Sequence, residues 1–381
     1  MYLVGSGGGM NHADVIIVGA GVVGLALARA AARQGLRVMV MERHPQATGA
    51  SIRNFGMVWP IGQPEGVLRD RALRSRQIWL ETAAAAGFSA DPMGSLHLAY
   101  REDEWAVLEE FVATHPDPET LRLLTPAETL AKSPAVRPQG LLGALWSSTE
   151  VIVDPREAIV KLPDYLTDTY GVTFQFNTAV TQVSTGQVVA GGKVWTCDRV
   201  LICSGADFET LYPDHYAASG ITKVKLQMLR TVPQPPGWRL GAALCGGLTL
   251  THYGSFAHCP SLPALKQRIQ AETPEFPRWG IHVMVSQNAT GELILGDSHE
   301  YGPSPDPFDK AAINDLILGY LQEFTTFPNS AIAATWHGVY AKLPGHSELI
   351  LQPEPGVTII NALSGAGMTL SFGLGEDIFR H

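Results

Sequence analysis

Gly19-Ala20-Gly21-Val22-Val23-Gly24 is a stretch whose residue types and spacing can hold a diphosphate. Gly19 permits a tight turn, Gly21 lets a pyrophosphate approach the backbone, and Gly24 lets a helix and a strand pack closely. A helix beginning at Val22 presents free N–H groups and the positive end of its dipole, so Val22 and Val23 join the glycines as phosphate contacts. Glu42 follows roughly 20 residues on, where a carboxylate accepts hydrogen bonds from an adenosine ribose. Together these groups specify a site for an adenine dinucleotide.

Such a site needs a strand before the turn, a helix after it and a second strand ending at the acid. Val15-Ile16-Ile17-Val18 has the length and β-branching of a buried parallel strand, an Ala/Leu-rich stretch with helical spacing follows, and Arg37 to Met41 forms the second strand. Later elements alternate. Helices are expected at about 66–86, 102–114, from Thr125-Pro126-Ala127-Glu128, from Val153-Asp154-Pro155-Arg156 to about 170, and at 307–324. Strands are expected at 172–176, 198–203 and 357–362, with β-rich, proline-interrupted material from 221 to 294. The nucleotide-type strands are thus split among the start, middle and end of the chain. This argues against a nicotinamide dehydrogenase, whose cofactor domain is contiguous.

The bulk properties narrow the partners. With 381 residues, 45% hydrophobic and 17% charged, the chain has the make-up of two domains or one large composite one. A net charge of -9 disfavours nucleic acid and anionic membranes, and no apolar run reaches the length of a membrane span. MYLVGSGGGM reads as a leader or tag rather than a signal peptide, with Met10 as a natural start. Cys197, Cys203, Cys245 and Cys259 lack disulfide or metal spacing, and the histidines form no zinc-type pair. A cytoplasmic protein without a metal is expected; oligomeric state is not legible.

Three separated features, the opening motif with Glu42, Ser204-Gly205-Ala206 after an apolar strand, and Ser364-Gly365-Ala366-Gly367-Met368-Thr369 before the last helix, resemble the flavin-dependent amine oxidoreductases of the D-amino-acid oxidase, glycine oxidase and sarcosine oxidase superfamily. The resemblance spans nearly the whole chain from Ala13. It implies an α/β fold: a Rossmann-like, glutathione-reductase-type FAD-binding domain (13–87, 150–215 and 330–381, after a leader at 1–12) with a β-rich α+β substrate domain inserted (88–149 and 216–329). It further implies non-covalent FAD, contacted by Gly19, Gly21, Val22, Val23, Gly24, Glu42, Arg43, Ser51, Arg53, Asn54, Val180, Ser204, Gly205, Gly365, Ala366, Gly367, Met368 and Thr369. The loop Gly49 to Pro60 is similar to that of a subgroup associated with aminoalkylphosphonate breakdown.

The resemblance implies oxidation of a small amine: hydride leaves the carbon beside nitrogen for flavin N5, and water hydrolyses the imine. Oxygen or another acceptor then reoxidises the flavin. Amino-acid oxidases of the family carry an arginine after Trp-x-Gly-x; here Trp336-His337-Gly338-Val339-Tyr340 places tyrosine there, so a plain α-amino acid is disfavoured. Gly338 stands where sarcosine oxidases carry their flavin-linking cysteine. His282 takes the place of an aromatic residue lining the family's substrate site. His282, Tyr340 and Lys342 are the catalytic candidates, and Arg53, His282, Trp336, His337 and Tyr340 the substrate-binding ones. Lys223, Lys225 and His299 are further possibilities. If the substrate is a phosphonate, several of Arg53, Lys223, Lys225, His282 and Lys342 converge on one pocket. Alternatives are an amino-acid or N-methyl-amino-acid oxidase or dehydrogenase, and a non-catalytic flavin-binding subunit of a heteromeric dehydrogenase.

Overall fold

The structure, a computed structural model, describes residues 12–380; the leader assigned to residues 1–12 lies outside the described residues but for His12. One sheet has eight strands, and its parallel core is assembled from distant parts of the chain. His12–Val18 pairs on one side with Val38–Met41, which pairs with Thr173–Gln175, and on the other with Lys193–Ile202, which pairs with Val357–Asn361. Val18 lies opposite both Met41 and Ile202, so the carboxyl ends of these strands finish level. Cys203 N–H to Val18 O (2.9 Å), Gly19 N–H to Met41 O (2.8 Å) and Glu42 N–H to Gln175 O (2.9 Å) close that edge.

Helices Val22–Arg33, Val67–Ala86 and Gly367–Ile378 pack on this sheet. Trp79, fully buried, sets its ring edge-on to Phe372 at 4.7 Å and donates from Nε1 to Met368 O at 2.7 Å, which fixes the start of the C-terminal helix. Arg71, carried on the same helix as Trp79, reaches Asp377 (2.9 Å) and Glu348 (3.0 Å). Among the described residues no helix is long and apolar enough to cross a membrane.

A second sheet of nine strands runs Glu300–Gly302, Thr222–Thr231, Leu293–Gly296, Met284–Gln287, Ala243–Cys245, Ser95–Ala99, Gly143–Ser147 and Leu121–Leu124, with Ile332–Lys342 also paired to Thr222–Thr231. That last pairing departs from the sequence division. The division places residues 330–381 in the nucleotide half, yet Ile332–Lys342 lies antiparallel to Thr222–Thr231 from Thr231 opposite Ile332 to Thr222 opposite Lys342. Strand identity is local information; the partner is not.

The stretch expected to be β-rich also contains helices, Leu248–His252 and Leu262–Glu272 among them. In the latter, Pro263 sits in the first turn, where its missing N–H costs nothing, so a proline read as a loop marker starts a helix. His282 precedes its strand, which runs Met284–Gln287. It is held by backbone bonds to Asp297 instead (3.3 and 2.9 Å).

His97, in Ser95–Ala99, is 1% exposed between the rings of Trp59 and Phe256, and neither ring nitrogen has a hydrogen-bond partner. Burial pushes its pKa down to about 3. The fold therefore favours neutral imidazole: this contribution is whole above the unfolded value of 6.5 and is lost as pH falls through 6.5 toward 3. Replacing His97 with leucine removes two unsatisfied groups, so urea unfolding at neutral pH should show a gain of about 1–3 kcal/mol. The variant should also lose less stability than the parent on acidification below pH 6.5; equal losses would refute the assignment.

Candidate functional site

One cavity of 790 Å³ runs along the carboxyl edge of the parallel strands and on to the nine-stranded sheet. At one end is the glycine turn. Gly19 has φ +103°, and a Cβ there would lie 2.5 Å from Cys203 O. A Cβ on Gly24 would lie 2.0 Å from Gly19 O, so the first helix seats on the turn only because position 24 has no side chain. Gly24 thus packs beneath the cavity, whereas Gly19, Gly21, Val22 and Val23 line it.

Glu42 is 8% exposed, and its two carboxylate oxygens accept from Ala20 N–H (3.0 Å) and His44 N–H (3.1 Å). Those bonds orient it and leave further lone pairs toward the cavity. Ser51 Oγ accepts from Val22 N–H at 2.9 Å, tying the loop after the second strand to the first helix's amino end. Asn54 braces the same loop, donating to Ala50 O and Ser51 O and accepting from Gly56 N–H (2.7 Å). Arg43 pairs with Asp207, and Ser204 Oγ donates to Asp207 O (2.7 Å). Gly205 O accepts from Asn361 (2.8 Å). Val180 and the run Gly365 to Thr369 complete this part of the lining. Thr369 Oγ1 accepts from Trp59 N–H at 2.9 Å.

The other end of the cavity carries His252, Tyr253, His282, Asp297, His299, Tyr340, Lys342 and Arg53. Tyr340 comes from the nine-stranded sheet, and its hydroxyl would lie 3.2 Å from a Cβ at Gly365, so it abuts the turn before the C-terminal helix. Burial raises its pKa well above the ordinary tyrosine value. Arg53 and Lys342 have no carboxylate partner among the described residues; Lys342 Nζ is 3.4 Å from Tyr301 OH and lies over that ring. Lys223 and Lys225 are spent elsewhere, the first on Glu209 (2.6 Å) and the second, fully buried, on Asp309 (3.0 Å) and two backbone carbonyls. Arg53, His282 and Lys342 therefore line the cavity, and Lys223 and Lys225 do not.

Trp336 and His337 do not line the cavity. Trp336 Nε1 donates to Arg53 O (3.1 Å), and Arg53 Nη1 donates to His337 O (3.2 Å). His337 in turn contacts Asp309 at 2.8 Å. Both residues thus hold the Arg53 loop, Trp336 through its indole and His337 through its carbonyl.

The histidines are the part that sequence patterns leave incomplete. His252, His282 and His299 come together with ring centroids 3.8, 4.7 and 5.3 Å apart. Asp297 Oδ1 lies 3.1 Å from His282 Nε2, in an alignment too poor for a hydrogen bond. His252 faces the open cavity, yet protein surrounds it closely enough to disfavour its charge. Desolvation lowers all three histidines, His299 to about 4, with their mutual charges and Lys342 reinforcing the shift in His252 and His282. Burial raises Asp297 well above the carboxylate range. His252, Tyr253 and Asp297 carry no local signal: no shared periodicity connects residues that meet only through the fold.

The chain belongs to the FAD dependent oxidoreductase (DAO) family, whose profile matches residues 14–380. It is 29% identical over 162 residues to a component of the anaerobic glycerol-3-phosphate dehydrogenase of Escherichia coli (strain K12), covering 39% of this chain and 29% of that protein's length. Its fold is similar to the L-proline dehydrogenase of P. horikoshii (TM-score 0.76, 20% identity, 97% of this chain and 93% of the other). It is also similar to the FAD-bound L-alpha-glycerophosphate oxidase of Mycoplasma pneumoniae (TM-score 0.74, 19% identity, 97% and 95%). The cofactor is FAD, and the cradle fits it: a dinucleotide turn without side chains, an oriented acid, and a cavity long enough to join both sheets. Gly24→Val should displace the first helix from the turn, costing about 3 kcal/mol and most of the bound flavin. Flavin absorbance after gel filtration and urea unfolding test this; a yellow variant of parental stability would refute it.

Proposed function

We propose that this FAD-dependent oxidoreductase oxidises a small amine that carries an anionic group, with 2-aminoethylphosphonate or its N-methyl derivative as the leading substrates. The observation that carries this reading is the pair of cations, Arg53 and Lys342, that face the cavity without carboxylate partners. Arg53 is exposed and Lys342 half-buried, so both charges are free to answer an anionic ligand. Held in the cradle, FAD supplies a two-electron acceptor for the C–H bond beside the substrate nitrogen.

The chain's own residues bind and orient. Arg53 and Lys342 hold the anion, which fixes how far the amine reaches along the cavity. Tyr340, against the turn at Gly365, closes the side of the cavity where an amino-acid oxidase would carry arginine. His282 and His299, kept neutral by burial, tolerate an amine in its uncharged form and would oppose an ammonium less than charged imidazoles. The amino end of Gly367–Ile378 faces the cavity and favours negative charge there.

A second reading is kept by the relatives named for glycerol phosphate: oxidation of an alcohol carbon in a small phosphate ester. Amino acids, N-methyl amino acids, aminoalkylphosphonates and glycerol 3-phosphate, mixed anaerobically with the holoprotein, separate these readings by loss of the oxidised-flavin absorbance. Bleaching by an aminoalkylphosphonate is expected; bleaching by glycerol 3-phosphate alone would transfer the function to the alcohol. Bleaching by none would favour a flavin-binding subunit without its own turnover. For the amine that works, Arg53→Met and Lys342→Met should each raise KM about 10- to 100-fold, the equivalent of about 1.5–3 kcal/mol for a charged hydrogen bond. An uncharged amine of the same size should be unaffected by either change.

A further inference from the structure

We propose that His252, His282 and His299 form a binding site for one divalent, imidazole-preferring metal ion such as Zn²⁺ at the end of the flavin cavity. One ring nitrogen of each residue lies within 4.8 Å of those of the other two. Zinc–nitrogen bonds of about 2.0–2.1 Å call for a tighter triangle, and the stacked rings (His252–His282 26°, His282–His299 19°) have to turn to aim their in-plane lone pairs at one ion, most freely His252 on the exposed wall.

The surroundings are those of ligands rather than of core histidines. His282 is 4% exposed, and its Nδ1 has no hydrogen-bond partner; Asp297 is 5% exposed, and its Oδ1 has none. Two open polar atoms buried on one ring and its neighbour are expensive. A cation on Nδ1 answers the first and strengthens the Nε2–H that faces the second. His299 Nδ1 is 2.9 Å from Gly280 O, which assigns its proton to that nitrogen and leaves Nε2 as a bare lone pair. His282 Nε2 faces Asp297 Oδ1 at 3.1 Å without a hydrogen bond, and a small turn of either side chain supplies the outer partner for this ring. An imidazole whose second nitrogen faces a carbonyl or carboxylate is the common arrangement of a metal-bound histidine.

The scaffold fixes the backbone of His282 and His299 before any ion arrives. Asp297 and His282 exchange backbone hydrogen bonds, and His299 N–H donates to Trp279 O at 2.7 Å. Access does not depend on the flavin cavity. A second cavity of 330 Å³ is also lined by His252 and His282, together with the exposed Lys266, Gln270 and Pro277. With three protein nitrogens, the ion keeps an open position toward the flavin cavity, where an anionic oxygen can bind. Lys342 nearby weakens the attraction for any cation, which selects ions that bond strongly to imidazole over Mg²⁺ or Ca²⁺.

The test needs no substrate, so its failure leaves the amine reading standing. Holoprotein stripped with a chelator is titrated with Zn²⁺, passed through gel filtration, and analysed for zinc and FAD together. One zinc per FAD is expected for the parent. His252→Ala combined with His299→Ala should abolish retention with FAD still bound, and Asp297→Asn should weaken zinc by about 10- to 100-fold. Should the double variant lose FAD, His252→Ala alone decides, because its exposed ring is the least embedded of the three. No zinc on the parent, or equal zinc on parent and variants, overturns the proposal.

Discussion

The level finish of the parallel strands is the constraint from which the rest of the molecule follows. Val18, Met41 and Ile202 end side by side, and Val357–Asn361 continues the sheet beyond them. Parallel strands deliver every turn that follows them to one edge. The glycine turn, the acid Glu42, Ser204-Gly205 and the turn before the last helix therefore meet, although they lie hundreds of positions apart. A one-residue slip of Lys193–Ile202 would invert its faces and carry Cys203 O away from Gly19. The tight contacts at Gly19 and Gly24 lock the register that brings them together.

The strand Ile332–Lys342 transmits that constraint to the second sheet. It pairs along its length with Thr222–Thr231, while Lys342 makes a single bridge to Leu363 at the end of the first sheet. Tyr340 thereby reaches the Gly365 turn. Behind it, buried Lys225 binds Asp309, Asp309 binds His337, and the His337 carbonyl receives Arg53. Lys225 is thus a positioning residue three contacts removed from the cavity. Its charge is tolerated in the interior because a carboxylate and two carbonyls surround it.

Much of this was legible in the sequence where the physics is local. The opening strand, turn and helix are written in adjacent residues, and the Thr125–Glu128 capping box forms as its spacing implies, with Glu128 accepting from Thr125 N–H at 2.9 Å. What escaped depends on partners. Trp336 and His337 sit on the strand that carries Tyr340, yet their polar groups turn to the Arg53 loop. His252 lies at the end of a helix of five residues with no periodic signal. It joins His282 and His299 only after two other strands are in place. The histidines lack zinc-type spacing because the cluster draws on three separate segments, not one helix face.

The electrostatics of the cavity run against those of the whole chain. A net charge of -9 repels anions at long range, so capture of the proposed anionic amine would depend on the few cations that line the cavity. Among the described residues Arg53 and Lys342 have no acidic partner, while other basic residues are consumed in pairs such as Arg43–Asp207 and Lys223–Glu209. Screening over about 8–10 Å removes most of the surface repulsion at physiological salt, so only charges close to a ligand act on it strongly. Desolvation disfavours charge on the histidines, which keeps lone pairs rather than positive charges near Lys342. In the proposed reading the two kinds of group divide the work by exposure: Arg53 and Lys342, open to solvent, answer an anion, and the desolvated imidazoles serve a group that needs electron pairs.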